Sequence, residues 1–496
     1  MQRKQLTLVI VSLLVVVLSV SLAWFTTQII GKGKDVSVTS ANLQIVFTDS
    51  DGALTETDIE PGWSATKTFT IKNDTKTEYK YNIVIKDLLN TFVTEGYLQY
   101  KITSTNGGYN MTEFKDIPKS SAPKDTILAY SVVIPNGVTQ SYTIEFKYTN
   151  DESVDQSDDM GKKLSGTLFI TEGTEDPNKT LLTQLLVDKS TKLTRTDFSK
   201  VLTNDNTNTL YTSTEDSKTV YYFAGNATDN WVKFGKNESN QDLYWRIIRT
   251  NSDGGVRLLY HGTSTTATDA VINASTAFNS SYNNIASVSY MYGSLGGILN
   301  ARENTTNSTI KTIIDNWYKD NLNTNYGKYL STTAVYCNDR STSDNYEFGA
   351  YTRLDTNKTP TYDCATTEDK FTVDTSTGNG KLTYPIALMT ADEVSFAGGL
   401  YSTNAPTWYY YNSANGSSTG STWWWLLSPY FWDDRYAFVF GVDGSSSPGR
   451  LASYRVGSTY GVRPAVSLKS CVKTSGGDGS ASAPYTIKET ETETGC

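Results

Sequence analysis

The chain has 496 residues, a formal net charge of −9 from 43 Lys and Arg against 52 Asp and Glu, and one histidine. That balance argues against a nucleic-acid partner, because neutralising phosphates takes clustered Lys and Arg, and no basic run follows the first residues. His261 as the only imidazole leaves Ser-His-Asp, Cys-His and His-rich zinc sites short of bases and ligands, so the sequence reads as non-enzymatic, with no cofactor and no metal site.

Arg3 and Lys4 precede an apolar run over 6–25, and no charged side chain lies between Lys4 and Lys32. A run of about 20 apolar residues can span a bilayer as a helix, and Ser21-Leu22-Ala23 offers a small-x-small cleavage site after Ala23. Residues 1–32 are therefore expected to form either a membrane anchor or a cleaved signal. Everything after Lys32 is then outside the cell, in a single-pass membrane protein or one released at the surface. The abundance of Thr, Ser, Asn, Gly and Tyr agrees with that location.

Over 33–172, apolar and polar residues alternate, as in Phe69 and Ile71, Tyr79 to Ile85, and Tyr142 to Tyr148. Period two marks half-buried strands. Pro61-Gly62, Asn73-Asp74, Asn106-Gly107-Gly108 and Pro135-Asn136-Gly137 supply the turns between them. The expectation is an antiparallel β-sandwich serving as stalk or assembly module. The segments Leu22-Ala23-Trp24-Phe25-Thr26, Val38-Thr39-Ser40-Ala41-Asn42-Leu43-Gln44-Ile45, Ile59-Glu60-Pro61-Gly62-Trp63-Ser64 and Thr68-Phe69-Thr70-Ile71-Lys72-Asn73 resemble the camelysin and TasA type of secreted Gram-positive protein. The resemblance implies a β-sandwich, export through a dedicated signal peptidase, and possible self-assembly into fibres. Ser21 stands where that family usually carries Ala.

The stretch 173–214 is polar, with a short helical pattern over 181–187, and reads as a linker. Residues 215–470 then read as an α+β domain. Strands are expected around Val220-Tyr221-Tyr222-Phe223, Tyr244-Trp245-Arg246-Ile247-Ile248-Arg249 and Val256-Arg257-Leu258-Leu259-Tyr260. Ile310, Ile313, Ile314 and Trp317 fall on one helical face, and Thr390-Ala391-Asp392-Glu393 has capping-box spacing. Residues 471–496 read as a tail, ending in an acidic run over 489–496. Cys337 and Cys364 are close enough in sequence to close a loop worth about 3 kcal/mol in an oxidising compartment; two free buried thiols are the alternative. Pairing of Cys471 with Cys496 is left open.

Aromatic residues crowd the end of the domain, in Trp408-Tyr409-Tyr410-Tyr411 and from Trp423 to Phe440. Taking Ser428-Pro429 as a turn, the stretch Tyr430, Phe431, Trp432, Asp433, Asp434, Arg435 and Tyr436 is expected to be a surface loop, because charges are not buried unpaired. A second stretch, Ser453, Tyr454, Arg455, Ser458 and Tyr460, is expected beside it. Exposed rings with Arg make binding hot spots, and Tyr with Ser and Gly is the paratope mixture. An aromatic-rich β domain without a binding role is the alternative. Asp433 and Asp434 are adjacent, so on an extended strand they point to opposite faces and do not flank one glycosidic bond.

Trp245-Arg246-Ile247-Ile248-Arg249, Tyr336-Cys337-Asn338-Asp339-Arg340, Gly380-Lys381-Leu382-Thr383-Tyr384-Pro385, Leu427-Ser428-Pro429 and Gly461-Val462-Arg463-Pro464-Ala465-Val466 resemble a recurring uncharacterised domain in surface proteins of gut-type Gram-positive bacteria. The closing segment also resembles the C-type-lectin-like domains varied by diversity-generating retroelements. That likeness implies a ligand face built from the final segment and framed by Arg463-Pro464-Ala465. The expected function is a cell-surface adhesin or receptor for a protein or glycan. The alternatives are a structural fibre or matrix component and a carbohydrate-active enzyme.

Overall fold

The computed structural model describes residues 35–489, except 41–42, 50–53, 57–58, 75, 112, 175, 178, 268–269, 343–345, 406–421 and 445–446, and describes side chains from 59 onward. The helix expected over 1–32, the run Trp408-Tyr409-Tyr410-Tyr411 and the residues after Glu489 lie outside that set. Among the described residues, no helix is long and apolar enough to cross a membrane. The protein is mostly β, with 41% strand and 14% helix. It divides into two compact units between Pro177 and Asn178.

In the first unit, a six-stranded sheet has the order Asp35–Ser40, Leu43–Asp49, Ser64–Asn73, Thr139–Tyr148, Leu98–Ser104, Lys115–Asp116. A four-stranded sheet has the order Leu54–Glu56, Leu164–Glu172, Tyr79–Asn90, Ser120–Ile134. All pairings are antiparallel. Alternation sends Phe69, Ile71, Ile144 and Phe146 of the first sheet and Ile83, Ile85, Leu168 and Ile170 of the second into one shared core. Tyr81 is buried there, and its hydroxyl donates to Gln140 Oε1 at 2.6 Å.

The same alternation turns Lys67 inward between Thr66 and Thr68. Its side chain is only 6% exposed, and among the described residues its Nζ has no hydrogen-bond acceptor beside Ile85, Leu88, Ile144, Phe146 and Leu168. A buried amine without a partner costs free energy that an apolar chain of similar length does not. Lys67→Met is therefore expected to stabilise the first unit by about 1–2 kcal/mol, read as a rise in its denaturant midpoint at constant m-value. A fall in that midpoint would show that the amine is satisfied.

The second unit is built on a ten-stranded sheet. The stretch read as a linker belongs to it from residue 178 on. Helix Leu181–Asp188 buries Leu181 and Leu185 in the unit's core, and Thr180 and Thr183 cap its N-terminus reciprocally. Strands Thr191–Thr194 and Thr209–Glu215 form one edge of the sheet. The residues read as a tail also enter it, through Thr474–Gly476 and Tyr485–Ile487, and Glu489 accepts a hydrogen bond from the Gly235 amide at 2.6 Å. Polar composition concealed both segments because each buries only a few side chains, among them Leu181, Leu185 and Tyr485.

Helix Thr309–Asn321 starts at Ser308, whose hydroxyl accepts from the Lys311 amide. Its buried face is Ile310, Lys311, Ile314, Asp315 and Tyr318, rotated from the expected Ile310, Ile313, Ile314 and Trp317. The rotation is possible because Lys311 and Asp315, one turn apart, pair at 2.5 Å and go inside together. Arg340 is buried and Arg353 partly buried, and both are paired likewise. Arg340 Nε meets Asp369 at 2.7 Å, and Arg353 bridges Asp339 at 2.6 Å and Asp392 at 2.9 Å.

Helix Ala391–Phe396 begins with the capping box the spacing predicts: Thr390 Oγ1 accepts from the Glu393 amide at 3.1 Å and Glu393 Oε2 from the Thr390 amide at 3.0 Å. The other oxygen, Oε1, takes Arg249 at 2.9 Å and Arg257 at 2.7 Å. Burial alone would raise the Glu393 carboxyl, but the Arg257 and Arg249 guanidiniums overcome it and hold it below its ordinary value of 4.5. One carboxylate thus joins a helix start to two strands.

Cys337 and Cys364 form a disulfide with a Cα–Cα distance of 5.6 Å. Cys471 is also disulfide-bonded, while Cys496 lies outside the described residues.

Candidate ligand-binding surface

A five-stranded sheet in the second unit has the order Asn273–Ala277, Thr459–Val462, Trp424–Trp432, Ala437–Val442, Leu451–Arg455. Its strands and turns carry the residues singled out from Tyr430 to Tyr460, whereas Pro464–Leu468 belongs to the ten-stranded sheet. Ser428-Pro429 does not turn the chain: strand Trp424–Trp432 continues through it, so Tyr430, Phe431 and Trp432 are strand residues and only half exposed. Proline is tolerated because the ladder with Ala437–Val442 is irregular on either side of Pro429. The Ser428 hydroxyl is occupied as well, accepting from the Ala391 amide at 2.9 Å.

The turn lies at 433–436. Asp433 Oδ1 accepts from the Arg435 amide at 3.0 Å and from the Tyr436 amide, and Asp434 takes a left-handed φ of 65°. Asp433, Asp434 and Arg435 are exposed. Segment 346–348 runs beside the strand end, with the Trp432 amide donating to the Tyr346 carbonyl at 3.2 Å and the Phe348 amide to the Tyr430 carbonyl at 3.1 Å.

Pleating separates the candidate residues into three groups. In the first, Tyr430 stacks on Tyr401 with ring centroids 5.3 Å apart and meets Tyr351 at 4.8 Å. The Tyr401 and Tyr430 hydroxyls are 2.8 Å apart, Tyr430 reaches Asp355 at 3.2 Å, and Tyr401 reaches Ser453 at 3.3 Å. Burial, then the hydrogen bond with Tyr401, keep the Tyr430 hydroxyl protonated far above its ordinary range.

In the second group, Trp423, Tyr454 and Tyr460 form a half-buried triangle, with centroids 4.9 Å, 5.3 Å and 4.6 Å apart, over the buried Trp425. The Trp425 indole N–H donates to the Thr276 carbonyl at 2.7 Å. Tyr454 lies so close over Gly441 that a Cβ there would stand 3.0 Å from its ring. In the third group, at the turn, Tyr436 is stacked against Tyr282 at 6.1 Å and covered by the guanidiniums of Arg455 at 4.0 Å and Arg435 at 5.0 Å. Ser458 sits in the turn joining the last two strands, its amide bonded to the Arg455 carbonyl at 2.9 Å.

The sequence reading missed Tyr282, Tyr346, Tyr351, Asp355 and Tyr401. Each lies far along the chain from 423–460, and no local pattern marks it; only pairing of 346–348 with the strand and packing of Tyr282 against Gly457 bring two of them in.

His261 is fully buried, edge-on to Trp231 at 4.5 Å, with Arg463 3.4 Å from its Nδ1. Burial, then the Arg463 and Arg246 charges, hold its pKa well below 6.5, so the ring is neutral. The cluster of Arg249, Arg257, Arg353, Asp339, Asp392 and Glu393 encloses only about 10 Å³. In the first unit, a depression of about 340 Å³ on the six-stranded sheet is lined by Thr68, Thr70, Thr103, Thr105, Ser141 and Thr143, and its wall is largely apolar. Among the described residues, no group of three or more His, Cys, Asp or Glu could hold a metal ion.

The chain matches no protein-family model, and no curated protein matches it.

Proposed function

We propose that this is a non-catalytic surface protein of a Gram-positive-type bacterium, an adhesin or receptor that presents its second unit for ligand binding. In this reading the first unit is a β-sandwich stalk of the camelysin and TasA kind, and the second is C-type-lectin-like. The apolar N-terminal run and the Cys337–Cys364 disulfide support placement outside the cell, anchored in the membrane or released from it.

The observation that carries the reading is the exposed end of the 424–442 hairpin. Half-buried rings, some from distant parts of the chain, converge there with the guanidiniums of Arg435 and Arg455 on a sheet whose inner residues are fully buried. Rings fixed by packing lose little entropy on binding, which is what a hot spot requires. The ligand is a protein or a glycan.

Substituting Tyr430, Trp432 and Tyr436 together by Ala is expected to lower affinity at least 100-fold on an array of glycans and surface proteins, at about 1–2 kcal/mol for each lost anchor. Unchanged binding by a variant with wild-type circular dichroism would end the proposal.

A further inference from the structure

Arg435 and Arg455 stand apart from the other described arginines. Arg249, Arg257, Arg302, Arg340, Arg353 and Arg450 are paired with carboxylates. Arg195, Arg246 and Arg463 donate to main-chain carbonyls. Arg435 and Arg455 are exposed, and among the described residues neither side chain donates to a protein acceptor or lies within ion-pair distance of a carboxylate.

Both are nevertheless held in place, because each guanidinium lies over the Tyr436 ring, whose packing against Tyr282 helps to fix it. A guanidinium over a ring keeps its N–H groups as donors, and where no protein acceptor takes them they can grip a carboxylate or sulfate in two hydrogen bonds. Asp433 and Asp434 lie in the same turn. Carboxylates beside arginines disfavour an acidic peptide, whose Asp and Glu side chains offer only like charge, but they accept hydrogen bonds from hydroxyls. A sugar acid brings both complements in one ring: a carboxylate for the arginines and hydroxyl donors for the aspartates.

Resting on the ligand-binding reading above, we infer that the turn at 433–436 and Arg455 form a subsite for acidic carbohydrate, a uronic- or sialic-acid-type residue gripped by Arg435 and Arg455. The net charge of −9 supplies no long-range attraction for a polyanion. Binding is therefore short-range, and its salt dependence is that of about two ion pairs.

The full chain is titrated with oligogalacturonate and sialyl-lactose, with neutral galactan and poly-glutamate as comparisons. At least one acidic sugar is expected to bind, weakening as NaCl rises. R435Q and R455Q are each expected to weaken it about tenfold, and the double variant about 100-fold, with the unfolding midpoint unchanged because both side chains are exposed. R435K with R455K keeps the charge but loses the fork, and is expected to recover only part of the affinity. Equal binding of poly-glutamate would overturn the carbohydrate assignment. Binding of neutral galactan alone, indifferent to the arginine variants, would overturn the anionic subsite and leave the ligand-binding reading intact. Binding to neither acidic sugar overturns the inference. If the Tyr430, Trp432 and Tyr436 variant also left the array profile unchanged, the broader reading would fall with it.

Discussion

Glu393→Ala is expected to destabilise the second unit by about 3–5 kcal/mol, the cost of leaving buried charge uncompensated. Glu393 is 1% exposed and receives Arg249 and Arg257 on one oxygen and the Thr390 amide on the other. Its removal leaves Arg257 without a carboxylate and Arg249 with Glu215 alone, at 2.8 Å. It also removes half of the capping box, leaving the Thr390 amide without its acceptor at the start of helix Ala391–Phe396, whose first residue is bonded through its amide to Ser428 in strand Trp424–Trp432. Chemical denaturation of the full chain should show the transition of the second unit moving sharply down and that of the first unit fixed. A loss under 1 kcal/mol would show that the arginines find other acceptors.

Stability of the second unit is expected to fall as pH drops from 7.5 to 4, in two stages with different causes. His261 is neutral in the folded protein, with its pKa well below 6.5. The unfolded chain therefore takes up the proton first, and each pH unit below about 6.5 removes about 1.4 kcal/mol until the folded pKa is reached. Glu215 and Glu393 act lower down. Burial would raise both, but the Arg249 charge on Glu215 and the Arg257 and Arg249 charges on Glu393 hold them below 4.5. Their contribution is present above 4.5 and is lost as pH falls through the depressed folded values. Asp315 and Asp443 oppose this, because burial raises their pKa and the folded state binds their protons more readily. Denaturant midpoints against pH check the slope. Because the chain has one histidine, its single set of imidazole NMR resonances checks the cause: a titration midpoint well below 6.5 is expected, and a midpoint near 6.5 would refute it.

The sequence by itself determined the strands of the first unit, the capping box at Thr390 and the aromatic character of the C-terminal segment. Those features are local: period-two alternation places Phe69 and Ile71 inward whatever else the chain does, and Thr390 with Glu393 closes a cap within one turn. Local pattern failed wherever a distant partner decides the outcome. Ser428-Pro429 reads as a turn alone, yet the Ser428 hydroxyl meets the Ala391 amide and Tyr430 pairs with Phe348, so the strand runs on. The spacing puts Ile313 and Trp317 on the buried face of a helix, yet Lys311 and Asp315 go inside there as an ion pair. The candidate surface shows the same division. Its aromatic and charged residues are legible in 423–460, but Tyr282, Tyr401 and Asp355 join them only through tertiary packing. That packing also leaves Arg435 and Arg455 as the two arginines without an acceptor among the described residues, because whether a guanidinium has an acceptor depends on what the folded chain places around it.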